Sequence, residues 1–149
     1  MSGGQVLLFR AGGLRLGVFL SEVGRLIVEG PVAALPFSHP AMAGILVSDD
    51  DSLVPVFDLR GLVGKPASTE GLRQPNVALF PTARGPVGVR LEQVVGTVSK
   101  YDALANDVVD DLRGRIAPGL RTMITGAASV DGEPFYFFSP DAFLAGLGF

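Results

Sequence analysis

Three consecutive carboxylates, Asp49-Asp50-Asp51, are the densest charge in the chain, and carboxylates in that number could in principle hold a divalent cation. Their spacing argues against it. Consecutive side chains diverge along an extended backbone, and the spaced Asp-x-Asp-x-Asp-Gly loop with its distal glutamate is absent. His39 is the only histidine, and it lies between Ser38 and Pro40. Adjacent serine and histidine cannot span a triad, and no nucleophile-elbow sequence accompanies them, so His39 reads as a surface loop residue. The run Gly12-Gly13-Leu14-Arg15-Leu16-Gly17 imitates a phosphate loop but lacks Gly-Lys-Ser/Thr and a following helix. There is no cysteine, which excludes thiolate chemistry, disulfides and thiolate metal sites. These readings predict no catalytic residue, no cofactor and no metal.

The aspartates sit between two apolar runs, near residues 44–47 and 52–57, which predict a β-hairpin with the acids at its tip. On that reading the aspartates solvate the tip and deter edge aggregation. An earlier hairpin is predicted from residues 5–10 and 14–18, joined by Gly12-Gly13, with Leu14, Leu16 and Val18 on a buried face. One helical turn is expected at 19–23, a strand at 24–29 and a short proline-initiated helix at 40–43. Prolines 31, 36 and 40 keep the intervening segment extended or turned. Residues 61–75, rich in glycine and proline, are the expected internal connection.

Beyond it, strands are predicted at 76–80, 87–91, 94–99, 123–130 and 134–138. The last two are joined by Asp131-Gly132, a strong hairpin turn. Residues 101–120 are more polar and read as a long connection with a helical turn. Ser139-Pro140-Asp141 predicts a capped helix start. Strand alternation buries either Phe135 and Phe137 or Tyr136 and Phe138, with core packing the main use of these rings. The sum is about ten short strands in two groups of five, a mainly β chain of the barrel or sandwich type.

Composition agrees. Of 149 residues, 48% are hydrophobic and 18% charged, which favours a buried core over disorder. Net charge is −3 with no basic block, so nucleic-acid binding is not expected. No apolar run approaches the ~20 residues that span a bilayer. The expected location is the cytoplasm.

The run Val54-Pro55-Val56-Phe57-Asp58-Leu59-Arg60 resembles the signature of CheW-like domains, adaptor modules of bacterial chemosensory arrays. Val6-Leu7-Leu8-Phe9 through Val18, Leu35-Pro36, Pro40 and Gly44 are similar to the family's first half. Val77 to Phe80, Val87 to Leu91, Val94-Val95-Gly96 and Ile124-Thr125-Gly126 follow its second half. The resemblance covers nearly the whole chain. It implies two five-stranded SH3-like β-barrels on a shared hydrophobic core, as subdomains of about 1–60 and 76–149, with short helices including one at the C-terminus. It also implies a non-catalytic adaptor that binds a CheA-type histidine kinase regulatory domain, a chemoreceptor or a specialised signalling protein. By resemblance, binding uses Val23, Arg25 and Ile27 in the third strand, with Asp49, Asp50, Val54 and Val56 in the hairpin.

Two departures from the family pattern bear on partner choice. Val47-Ser48-Asp49-Asp50-Asp51 replaces the usual Asn-Leu-Arg-Gly, with one residue more between Gly44 and Pro55, and Arg25 replaces a frequent glutamate. Both signs are inverted, which suggests a pair between Arg25 and Asp49 or Asp50. If exposed, such a pair is worth only ~0–1 kcal/mol, enough to orient but not to stabilise. The alternatives are a small-molecule sensor using the inter-barrel groove, with Arg90, Glu92, Gln93 and Arg25 as its polar candidates, and a module that self-associates through a strand edge.

Overall fold

The computed structural model describes residues 4–27, 41–47, 51–64 and 76–148. Eleven strands and three short α-helices follow one another as β1 (Val6–Ala11), β2 (Leu14–Phe19), β3 (Arg25–Ile27), β4 (Met42–Val47), β5 (Leu53–Phe57), β6 (Val77–Thr82), β7 (Gly85–Arg90), β8 (Gln93–Val98), β9 (Asp102–Ala103), α1 (Asn106–Arg113), α2 (Pro118–Arg121), β10 (Ile124–Val130), β11 (Glu133–Phe138) and α3 (Pro140–Gly146). The strands form a six-stranded sheet, β8-β1-β2-β11-β10-β9, and a five-stranded sheet, β3-β6-β7-β5-β4. The mainly β fold expected from the sequence is present, with six and five strands in place of five and five.

Strand pairing does not follow the chain in two blocks. β6 and β7, beyond the 61–75 segment, complete the sheet begun by β3, β4 and β5, while β1 and β2 pair with β8 and β11. The expected subdomains of 1–60 and 76–149 therefore do not correspond to the sheets. Composition marks where the chain turns, but it carries no record of which strand a later strand joins.

The six-stranded sheet must roll up. β8 and β9 are at opposite edges, yet Val98 and Asp102 are separated by only three residues. Four Cα–Cα steps reach at most about 15 Å, whereas five interstrand spacings in a flat sheet need about 24 Å. The connection closes only if the sheet curls into a barrel-like roll.

Burial follows from that curl, because every other side chain then faces one of two interiors. Val6, Leu8, Ala128 and Phe135 fill the inside of the six-stranded roll. Leu46, Val54 and Val56 fill the corresponding place in the five-stranded sheet. Between the sheets lies the largest cluster, which takes Leu7, Phe9, Leu16 and Val18 from one sheet, Phe57, Phe80 and Val89 from the other, and Phe143 and Leu144 from α3. β1 thus has a buried side chain on both faces, which is why it reads as the unbroken run Val-Leu-Leu-Phe.

Tight contacts enforce this packing. Gly17 lies beneath the Phe135 ring, where an added Cβ would come within 2.7 Å of the ring and 2.9 Å of Val6. At the β10–β11 turn, Asp131 and Gly132 have φ of 52° and 81°, the paired positive values of a type I′ hairpin. Ser139 caps α3 by accepting from the Ala142 amide at 3.1 Å.

Three local expectations differ. Residues 42–43 begin strand β4 rather than a helix: Met42 pairs with Phe57, and the Ala41 carbonyl accepts from the Asp58 amide at 2.7 Å. Pairing to β5 overrides the weak helix signal of Pro40, which itself lies outside the described residues. Residues 101–120 hold β9, α1 and α2 rather than mostly connection. The helical turn expected at 19–23 is present, as the 3-10 turn Leu20–Glu22. In β11, Phe135 and Phe138 are buried, a pair that strict alternation does not produce. Both faces of β11 are covered: Phe137 packs on the inner cluster of its own sheet, and Tyr136 packs on the cluster between the sheets.

Candidate functional site

β3 lies at the edge of the five-stranded sheet, fastened to β6 through Arg25–Leu79, Leu26–Ala78 and Ile27–Val77. The Gly24 amide donates to the Leu79 carbonyl at 2.7 Å, and the Asn76 amide to the Ile27 carbonyl at 3.2 Å. Val23 is half-buried against the cluster between the sheets. Ile27 is half-buried against the cluster of Leu46, Val54 and Val56. Arg25 and Leu26 are exposed. Arg25 and Leu26 are therefore the outward residues of β3, while Val23 and Ile27 pack inward and hold the strand in place.

The hairpin β4–β5 forms as expected, with Val47 opposite Leu53 at its tip end. Its outward residues are not the expected ones. Val54 and Val56 are 1% and 0% exposed, so their side chains cannot touch a partner. The pleat turns Leu53 outward instead, and Leu53 and Val47 are 67% and 62% exposed. Val54 and Val56 thus make this part of the signature a core feature. Asp51 is exposed, with φ of 65°. Asp49 and Asp50 lie outside the described residues, and the pair proposed between them and Arg25 lies there with them.

The end of the signature has a physical role that motif reading missed. Asp58 is 2% exposed and accepts from the Arg60 backbone amide and Nε, both at 3.0 Å, from Arg60 Nη2 at 2.6 Å and from Arg90 Nη1 at 3.1 Å. Its carboxylate starts the 3-10 turn Leu59–Val63 and ties the end of β5 to the end of β7. Burial by itself pushes the Asp58 carboxyl up. The hydrogen bonds from Arg60, the Arg60 charge and the bond from Arg90 outweigh it and hold the carboxyl below its ordinary value. The bond to Asp58 in turn raises Arg60, so the cation is retained. Arg90 is committed here, and Glu92 Oε1 accepts from the Gly13 amide at 3.3 Å. Two of the polar groups named for a small-molecule site, Arg90 and Glu92, are thus engaged with the fold.

A groove of about 320 Å³ opens beside the hairpin. Met42, Leu53, Pro55, Pro86 and Leu144 form its walls, with Arg84 at its side. It arises where β5 and β7 part. Their parallel pairing covers Val56 and Phe57 against Gly88 and Val89, and toward Leu53 each facing strand carries a proline. Its residues come from β4, β5, the β6–β7 turn, β7 and α3, so no single stretch of sequence announces it. Among the described residues there is no group of three or more metal-ligating side chains, and no helix is long and apolar enough to cross a membrane.

The sequence matches the CheW-like domain family over residues 5–147, and the chain belongs to that family. Its structure is similar to the crystal structure of the scaffolding protein TtCheW from Thermoanaerobacter tengcongensis, with a TM-score of 0.70 at 12% identity, over 94% of this chain and 86% of that one. Comparison with curated protein sequences returns no match.

Proposed function

We propose that this chain is a non-catalytic scaffold in a cytoplasmic chemosensory pathway, coupling a CheA-type histidine kinase regulatory domain to a chemoreceptor or to a specialised signalling protein. Membership of the CheW-like family carries this reading. Its likeness in fold to a scaffolding protein supports it. The surface supports it too: Val47 and Leu53 form an exposed apolar pair at the end of the β4–β5 hairpin, with Asp51 also exposed, and Arg25 and Leu26 lie outward on edge strand β3. Apolar area of this kind supplies affinity, and flanking charge supplies selection.

The inverted charges favour a specialised partner. Arg25 and the aspartate tip present signs opposite to the usual family arrangement and would repel a partner built for it. Titration of the purified chain with a CheA-type regulatory domain and with a receptor tip tests the proposal. Binding to at least one, weakened by Leu53→Asp, is the expected result. Absence of binding to both ends the scaffold reading. Ordinary affinity for a standard kinase domain, unchanged by Arg25→Glu, ends the specialised-partner reading.

A further inference from the structure

We propose that the groove between β5, β7 and α3 is a docking site for an amphipathic helix of a partner protein that carries a carboxylate beside its apolar face. The inference deepens the scaffold reading and rests on it. The apolar walls come from Met42, Leu53, Pro55, Pro86 and Leu144, and a space of about 320 Å³ suits a few aliphatic side chains. The facing strands determine the kind of occupant. Pro55 and Pro86 have no amide hydrogen, so the parted edges cannot donate a full ladder to an added strand. A segment entering here has to satisfy its own backbone, which a helix does, and contributes side chains to the groove.

Arg84 sets the charge of that helix. Among the described residues it is the one charged residue lining the groove, it is exposed, and no carboxylate engages its guanidinium. The nearby Asp141 is turned to the turn backbone, accepting from the Ala83 amide at 3.0 Å. A guanidinium at the edge of an apolar groove pairs with a carboxylate in a fork geometry that an ammonium-bearing helix cannot use.

Two designed helical peptides test this, each with leucines at i, i+4 and i+7. They differ only in a flanking glutamate or lysine. Both are titrated into the full chain while backbone amide shifts are followed. The glutamate helix is expected to bind more tightly and to shift Met42, Leu53, Arg84 and Val87. Arg84→Glu should weaken it by about tenfold and reverse the preference toward the lysine helix. Leu53→Asp should weaken both peptides. Equal binding of the two peptides, shifts confined to other surfaces, or no binding by either overturns the inference. Kinase or receptor binding that persists alongside such a result leaves the scaffold reading standing. Loss of kinase and receptor binding with the peptide result intact refutes the scaffold reading alone.

Discussion

Replacing Asp58 with alanine should cost this domain several kcal/mol, although the residue touches no expected partner. The side chain is almost fully buried, and it accepts four hydrogen bonds from Arg60 and Arg90. Arg90, 7% exposed, would be left as a buried cation without this counter-charge. Removing one member of such a pair costs about 3–5 kcal/mol, because the remaining ion keeps its desolvation penalty. Urea denaturation reads this directly: with a slope near 2 kcal/mol per molar, the midpoint should fall by about 2 M. The double variant Asp58→Ala/Arg90→Met separates the causes. It removes one of the two cations, Arg60 and Arg90, that lose this carboxylate, so it should recover part of the loss and show non-additivity. A single-variant cost under about 1 kcal/mol, or a double variant as costly as the two singles summed, would refute the reasoning.

The pH dependence follows from the same carboxylate. Its pKa is lowered in the folded state, so its contribution is complete above the unfolded value and is lost as pH falls through the folded value. The stability gap between wild type and Asp58→Asn should therefore be constant near neutrality and close in acid, measured by denaturation across pH.

Gly17→Ala should destabilise by about 1–3 kcal/mol through the clash with Phe135 and Val6, seen as a lower Tm. Val56→Ala should cost about 2 kcal/mol, whereas Leu53→Asp should stay within about 0.5 kcal/mol of wild type while impairing partner binding; paired denaturation and titration check this. Glu22 has its pKa raised by burial and by the nearby Asp141 carboxylate. Its ionisation therefore works against folding as pH rises through the folded value. Glu22→Gln should be neutral to slightly stabilising at pH 7, with the difference vanishing in acid on a pH series of melting curves.

Local chemistry carried much of the fold. Gly12-Gly13 and Asp131-Gly132 turn the two hairpins β1–β2 and β10–β11, Ser139-Pro140 starts α3, and alternating apolar residues give β2 and β5. Where local signals are weak, pairing partners decided: Met42 enters a strand because β5 lies beside it, and the polar 101–120 segment forms α1 under β10. The partner surface was legible only in part. The aspartate tip and Arg25 stand out as charge in an apolar chain. Val54 and Val56 belong to the signature, but the pleat of β5 turns their side chains into the core.

The sequence by itself determined a mainly β chain, because turn residues and strand alternation are local properties, and the Val54–Arg60 run carried its resemblance to CheW-like domains. Only the tertiary structure decided how the strands are shared between the sheets. The three-residue link from β8 to β9 forces one sheet to roll, and the pairing of β5 with β7 brings Asp58 to Arg90 across 32 positions. The same pairing stops short of Pro55 and Pro86, which leaves the groove open beside Arg84. Each of these depends on which distant segments meet, and that is settled by packing two apolar faces at once, not by any one stretch of residues.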